Sequence, residues 1–395
     1  MSGRLGKSRK TGTGKRKRRV RLDFAFGRLL VFSQFARYSL RNMRTCKTTS
    51  NPILDFGIDK STLQYTGRDL QRPECILAER DGTLWSADAR GGVVRIGPDG
   101  AQTAITQKRS AHFAQASSEA TRYLQGTLPN GMAFARGGDF LIANFGMDCL
   151  EVMTRDGSSR VLADTIDGQP IGKVNFVLRD SRDRLWVTVS TRVKNWMHAL
   201  RTDLKDGYIA CYEEGEFRIV ADGFGFTNEI RFDANEEFLY VVETTGGCIT
   251  RLRQNERGEL VDREVFGPAN LGKGAWPDGI AFDSYGNLWG TMVYSDKLFV
   301  VTPQGELRVL LDEGDPQKVD ALERQFFDNQ VTEDVLFATG QGIAPWMASV
   351  TFGGPDLRTA YIGSLKGRCI PYFQAPVPGL PMVHWNDAGG GLKPG

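Results

Sequence analysis

The sequence predicts an all-β chain, a six-bladed β-propeller with four-stranded blades around a central channel. Three observations carry this. One phrase recurs six times between residues 74 and 361. The copies start 56, 45, 53, 50 and 70 residues apart, a period that suits several strands per unit. Glycine is abundant at 46 residues, as a chain of many tight turns requires.

The phrase has a leading residue, an apolar stretch, a turn with Gly, Asp or Asn, and an aromatic-apolar strand. The copies are ECILAERDGTLW from Glu74, NGMAFARGGDFL from Asn130 and NFVLRDSRDRLW from Asn175. NEIRFDANEEFLY follows from Asn228, DGIAFDSYGNLW from Asp278 and ASVTFGGPDLRTAY from Ala348. Apolar alternation sets the register: Met132/Phe134, Ile280/Phe282 and Val350/Phe352 stand at equal offsets from their leading residues. Each copy supplies one strand before the turn and one after it. Further alternating strands follow at Gly92–Ile96, 150–154, 207–212, 248–252 and Lys297–Val301, which makes four per blade. No long helical period separates the strands, so a βαβ reading fails. Residues 108–123 and Pro316–Phe327 each read as a short helix or a loop, and 190–206 reads as an insertion over one mouth. Trp85, Trp186 and Trp289, placed after the turns, read as blade core.

Residues 1–50 hold 15 Lys or Arg and one acid, Asp23, which leaves 35 basic and 46 acidic residues in 51–395. The overall charge of +3 therefore hides a basic tail and an acidic body. The body is unsuited to nucleic acid and suited to a cation. Residues 1–50 read as a basic, disordered or non-native extension with a natural start at Met43. An organelle-targeting segment is the competing reading, and Arg28 spoils a secretory signal. Residues 51–375 read as the propeller and 376–395 as a C-terminal tail. The six Cys (Cys46, Cys75, Cys149, Cys211, Cys248, Cys369) are scattered without C-x-x-C spacing, as in reduced core thiols of a cytoplasmic protein. No apolar run is long enough to cross a membrane.

In a propeller the first strand of each blade lines the channel, so the leading residues converge on the axis. They read Glu74, Asn130, Asn175, Asn228, Asp278 and Ala348. Asn-Gly and Asp-Gly are common turn pairs, but Glu74, Asn175 and Asn228 precede no glycine. Two carboxylates and several amides crowded at an axis are costly to bury unpaired. A divalent cation removes that cost. Oxygen-only ligation favours Ca²⁺, with Mg²⁺, Mn²⁺ and Zn²⁺ open. The expected metal ligands are Glu74, Asn175, Asn228 and Asp278. Asn130, Asn175, Lys173 and His198 are the expected substrate contacts. Lys173 reads equally as a holder of an anionic group or as a solvated rim charge. His198, in the insertion, reads as a proton shuttle or as a packed side chain.

The phrases RPECILAERDGTLWSAD from Arg72, TNEIRFDANEEFLYVVET from Thr227 and WPDGIAFDSYGNLWGT from Trp276 resemble the regucalcin/gluconolactonase (senescence-marker-protein-like) family. The resemblance implies a divalent metal in the channel and hydrolysis of small lactones or, in relatives such as the paraoxonases and diisopropylfluorophosphatase, of esters and organophosphates. It implies that Glu74, Asn228 and Asp278 bind the metal, that Asp278 transfers a proton, and that Asn175 binds metal or substrate. The family's Arg-x-Asn-Asp pattern reads Lys173-Val174-Asn175-Phe176 here. That departure points away from a sugar lactone and toward simple or aromatic lactones and esters. Two other classes fit the same architecture: a non-catalytic calcium-binding propeller, and a strictosidine-synthase-like condensing enzyme with an incomplete ligand ring.

Overall fold

An acid at the start of the turn explains why three copies of the repeated phrase fold as they do. Asp180 accepts hydrogen bonds from the backbone N–H of Arg182 and Arg184, which closes the turn, and from the Trp186 indole at 2.9 Å. Asp283 does the same for Tyr285, Asn287 and Trp289. Glu79 accepts from Trp85 at 2.7 Å. In all three blades the acid stands six residues before the tryptophan. Asp180 and Asp283 both shape the turn and satisfy the buried indole, whereas beside Glu79 it is Asp81 that accepts from the Thr83 N–H of the turn.

These hairpins extend into six four-stranded antiparallel sheets, and the molecule is a six-bladed β-propeller. The structure, a computed structural model, describes residues 50–108 and 126–387. The basic tail before residue 50, most of the 108–123 segment with His112, and residues 388–395 lie outside it. The inner strands are Ile76–Ala78, Pro129–Phe134, Val174–Arg179, Thr227–Phe232, Pro277–Phe282 and Met347–Gly353. The sixth blade takes its outer strand from the N-terminal side: Gln64–Thr66 pairs antiparallel with Ile370–Gln374, and this closes the ring.

Neighbouring blades are clamped by aromatic pairs. Trp186 meets Phe232 of the next blade edge-on at 5.3 Å, Tyr240 meets Phe282 at 4.9 Å, and Trp289 meets Phe352 at 5.5 Å. Each couples a second strand to the end of the following inner strand, and each is worth about 1 kcal/mol beyond the area it buries. All three tryptophans named in the sequence are core residues. Cys75, Cys149, Cys211 and Cys248 are buried free thiols, and Cys369 is a partly exposed one.

Asn130-Gly131 and Asp278-Gly279 are not turns; they lie inside inner strands. Their glycines answer to close approach between blades. A Cβ at Gly279 would lie 2.3 Å from the Ala348 carbonyl oxygen, and one at Gly131 would lie 2.9 Å from that of Asn175.

The insertion at 190–206 is a loop carrying a short 3₁₀ turn, Trp196–Ala199. Pro316–Phe327 is a helix. It is capped by Asp315, starts with proline, and buries Val319, Leu322 and Phe326 along one stripe. Both pack in a cluster that also holds Phe145, Phe226, Trp276 and Trp346. Past the last blade the chain runs under the far ends of the inner strands. Leu380 N–H donates to Phe282 O at 2.8 Å, a His384 ring nitrogen meets Ala78 O at 2.9 Å, and Asp387 pairs with Arg179. This strap covers a cavity of about 310 Å³ lined by Leu77, Met132, Leu178, Phe232, Phe282 and Phe352. No helix among the described residues is long and apolar enough to cross a membrane.

Candidate functional site

Five of the six leading residues sit where their inner strand breaks register with its neighbour; Glu74 instead stands two residues before the strand Ile76–Ala78. The register shifts fall between Pro129 and Met132, Val174 and Phe176, Thr227 and Ile230, Pro277 and Ile280, and Met347 and Ser349. A bulge frees a backbone N–H and re-aims a side chain. Two freed groups are caught by threonines on the second strand: Phe176 N–H donates to Thr188 Oγ1 at 3.0 Å, and Gly279 N–H to Thr291 Oγ1 at 3.1 Å.

The bulges bring Asn130, Asn175, Asn228 and Asp278, and the turn into the first inner strand brings Glu74, to the floor of one cavity of about 40 Å³. The sixth position, Ala348, is buried but offers only a methyl group. Asn130 is fully engaged: Arg72 donates to its Oδ1, and its Nδ2 donates to Glu74 Oε1 and Asn175 O, both at 3.0 Å. Asn228 Nδ2 donates to Thr244 Oγ1 at 3.0 Å, and Thr244 donates in turn to Pro277 O at 2.7 Å. That anchor fixes which end of the Asn228 amide is left over. Glu74 Oε2, Asn175 Oδ1 and Asn228 Oδ1 are buried oxygens with no hydrogen-bond partner. Such groups are costly to leave unmade, and three in one cavity fit a cation better than any hydrogen-bond donor present. Burial pushes the Glu74 carboxyl well above the usual carboxylate range; Arg72 opposes this, and Asp278 and Glu229 add to it. Asp278 is likewise pushed well up by burial and then by Glu229, against Arg72. A bound cation would reverse both shifts. Among the described residues no three His, Cys, Asp or Glu side chains cluster as a metal site; the ring has two carboxylates and otherwise amide oxygens, a donor set for a hard ion.

Behind the floor, Glu229 and Arg231 form a buried ion pair at 2.9 Å. Glu229 also accepts from Ile280 N–H at 3.1 Å, and the Arg231 guanidinium lies over the Phe176 ring. Phe176 is only 1% exposed and belongs to the core. The apolar side chain that replaces the family's acid therefore does not line the cavity.

Three residues that sequence reasoning missed line the cavity from two positions before the leading residue: Arg72, Phe226 and Trp346. All three have left-handed backbones, with φ of 59°, 54° and 55°. The equivalents Leu128, Lys173 and Trp276 do not share this φ, and their side chains turn away from the cavity. The signal was present in the repeat, two places before each copy, but the backbone hand that selects three of the six is not written in residue type. Phe145, Val293, Tyr294 and Leu365 follow the second strands and complete the wall with Trp196.

Lys173 is 1% exposed, and its ammonium pairs with Asp148 at 2.7 Å and donates to Phe145 O at 3.3 Å. It is thus neither a solvated rim charge nor part of the lining; it braces Phe145 from behind. His198 is exposed and faces Asn195, while Trp196 from the same turn reaches the cavity.

Residues 73–312 match the family described as the SMP-30/Gluconolactonase/LRE-like region. The chain belongs to this family. A 6-deoxy-6-sulfogluconolactonase of Pseudomonas putida is 24% identical over 207 residues, 52% of this chain and 58% of that protein. The chain thus spans little more than half of that relative's length. A gluconolactonase of Xanthomonas campestris shares the fold at 18% identity and a TM-score of 0.56, over 80% of this chain and 89% of that one. Regucalcin, a calcium-binding protein of Agrobacterium tumefaciens, does so at 14% identity and 0.55, over 80% and 95%.

Proposed function

We propose that the protein is a hydrolase of small lactones or carboxylic esters that works with one divalent cation, Ca²⁺ as first choice, held by Glu74, Asn175, Asn228 and Asp278. The observation that carries this reading is the set of three partnerless oxygens beside two buried carboxyls on one cavity floor. Membership in a gluconolactonase-like family supports the reaction class, and the calcium-binding relative supports the ion.

The cation, when bound, supplies Lewis-acid polarisation of the scissile carbonyl. The chain's own residues do the rest. Asp278 takes a proton from the attacking water as the water oxygen joins the carbonyl carbon. The same proton then passes to the alkoxide oxygen as the C–O bond breaks, which yields an acid and an alcohol, or one hydroxy acid from a lactone. Asn228, anchored by Thr244, and Glu74, anchored by Asn130, keep their oxygens oriented without reorganisation. The aromatic wall excludes bulk water.

The test is metal analysis of the purified protein, followed by a lactone and aryl-ester panel with and without chelator. Chelation should abolish turnover and added Ca²⁺ restore it, while Glu74→Gln and Asp278→Asn should each lose bound metal. Turnover that survives both chelation and these substitutions overturns the reading. Metal binding without turnover of any substrate would leave a calcium-binding propeller.

A further inference from the structure

The mouth of the cavity is built from costly backbone. Phe226 and Trp346 adopt the left-handed region, which is unfavourable for large side chains. At both positions the result is an aromatic ring on the cavity wall. Phe145 and Trp196 stand beside them, 6.1 Å apart and edge to face, and Trp196 meets Phe226 in the same way at 6.3 Å. Val293 and Leu365 complete the apolar surface. Beyond the floor the polar lining comes from Tyr294 and from Arg72, whose guanidinium is engaged with Pro129 O and Asn130. Thr244, the one hydroxyl-bearing aliphatic side chain in the lining, is already engaged with Asn228 and Pro277. Among the described residues no Ser, Gln, His or Lys lines the cavity; Lys173 and His198 point elsewhere. The whole cavity, wall included, measures about 40 Å³, room for little more than a substrate's carbonyl group, so whatever lies beyond that group meets the aromatic rings at the mouth.

We propose that the substrate carries a planar apolar ring next to its ester group, seated against Phe145, Trp196, Phe226 and Trp346, and that the site discriminates against polyhydroxylated sugar lactones. This rests on the hydrolase reading of the same floor. A wall of this composition offers dispersion and edge-to-face contacts to a ring. Several sugar hydroxyls placed there would be desolvated with too few partners among Tyr294 and Arg72 to satisfy them.

The experiment uses the metal-loaded full chain with two lactones, dihydrocoumarin and glucono-δ-lactone, spontaneous hydrolysis subtracted. Binding of their unreactive lactams is followed separately by tryptophan fluorescence. Dihydrocoumarin should be favoured in kcat/KM by about tenfold or more, and its lactam should bind more tightly than the sugar lactam. Phe226→Asn retains a residue that tolerates the left-handed backbone and should shrink both preferences, mainly through KM; Trp196→Gln is the second variant. A sugar lactone that is turned over as well or better overturns the proposal, as does a preference that neither variant changes. If the wild type hydrolyses nothing, the hydrolase reading falls. The lactam pair still decides the rest: tighter binding of the aromatic lactam supports the wall, and equal or reversed binding refutes it.

Discussion

Asn130 shows how far a single residue's role can depart from its type. In the sequence it is one of five oxygen-bearing leading residues. In the fold its oxygen is taken by Arg72 and its nitrogen holds Glu74 Oε1, so it orients a neighbouring acid. Asn130→Ala would strand several buried groups and should lower unfolding free energy by about 3 kcal/mol, measured by urea denaturation of the chelated protein. The raised carboxyls make a second prediction. Glu74 and Asp278 sit above the range they have in the unfolded chain, so the metal-free fold holds protons that the unfolded chain has released. Its stability must fall as pH rises from the ordinary carboxylate range through the raised values. The chelated protein should melt higher at pH 5 than at pH 7.5, and the gain in melting temperature from Ca²⁺ should be larger at pH 7.5. An equal gain at both pH values would show that the two acids do not meet the ion. The floor was legible because one repeated position falls on one axis. Arg72, Phe226 and Trp346 were not, because a left-handed φ carries no residue signature when the residue is neither Gly nor Asn.

At the scale of the strand, the bulge is the device that points a side chain down the axis, and the threonines of the second strand keep it from unravelling. Thr291→Val keeps shape and removes the acceptor for Gly279 N–H. It should cost about 1–3 kcal/mol and weaken cation binding through Asp278, which calorimetric titration with Ca²⁺ would register. Unchanged affinity would show that the bulge is held by the strand alone. Inner and second strands were readable because both faces are buried and the aromatic follows its turn acid at a fixed distance. The outer strands were harder. Gln102–Thr106, Ser159–Ala163 and Leu260–Phe266 are half-exposed, so their apolar alternation is faint. Gln64–Thr66 has three residues with none buried, and its place in the sixth blade depends on a partner far along the chain.

For the whole molecule, the strap from Leu380 to Asp387 roofs the end of the channel opposite the floor. Ending the chain at Ala375 should expose Leu77, Phe232, Phe282 and Phe352 and lower the melting temperature by roughly 5 °C or more, with Ca²⁺ affinity retained because the strap touches none of the floor residues. Ring closure has a consequence in time. The Tyr372 hydroxyl donates to Gln64 across 308 residues of sequence, so during synthesis the strand Gln64–Thr66 must wait for almost the entire chain before the sixth blade can take it in. Until then the blades form an open crescent with two raw edges, one at Gln64–Thr66 and one at Ile370–Gln374. Glu74 and Asp278 belong to blades on either side of the sixth, the last to be made, so the floor is completed only when the crescent shuts. An ion that bridges them would act as a clasp on a newborn ring, and the supply of that ion would set how long the edges stay open to misassembly.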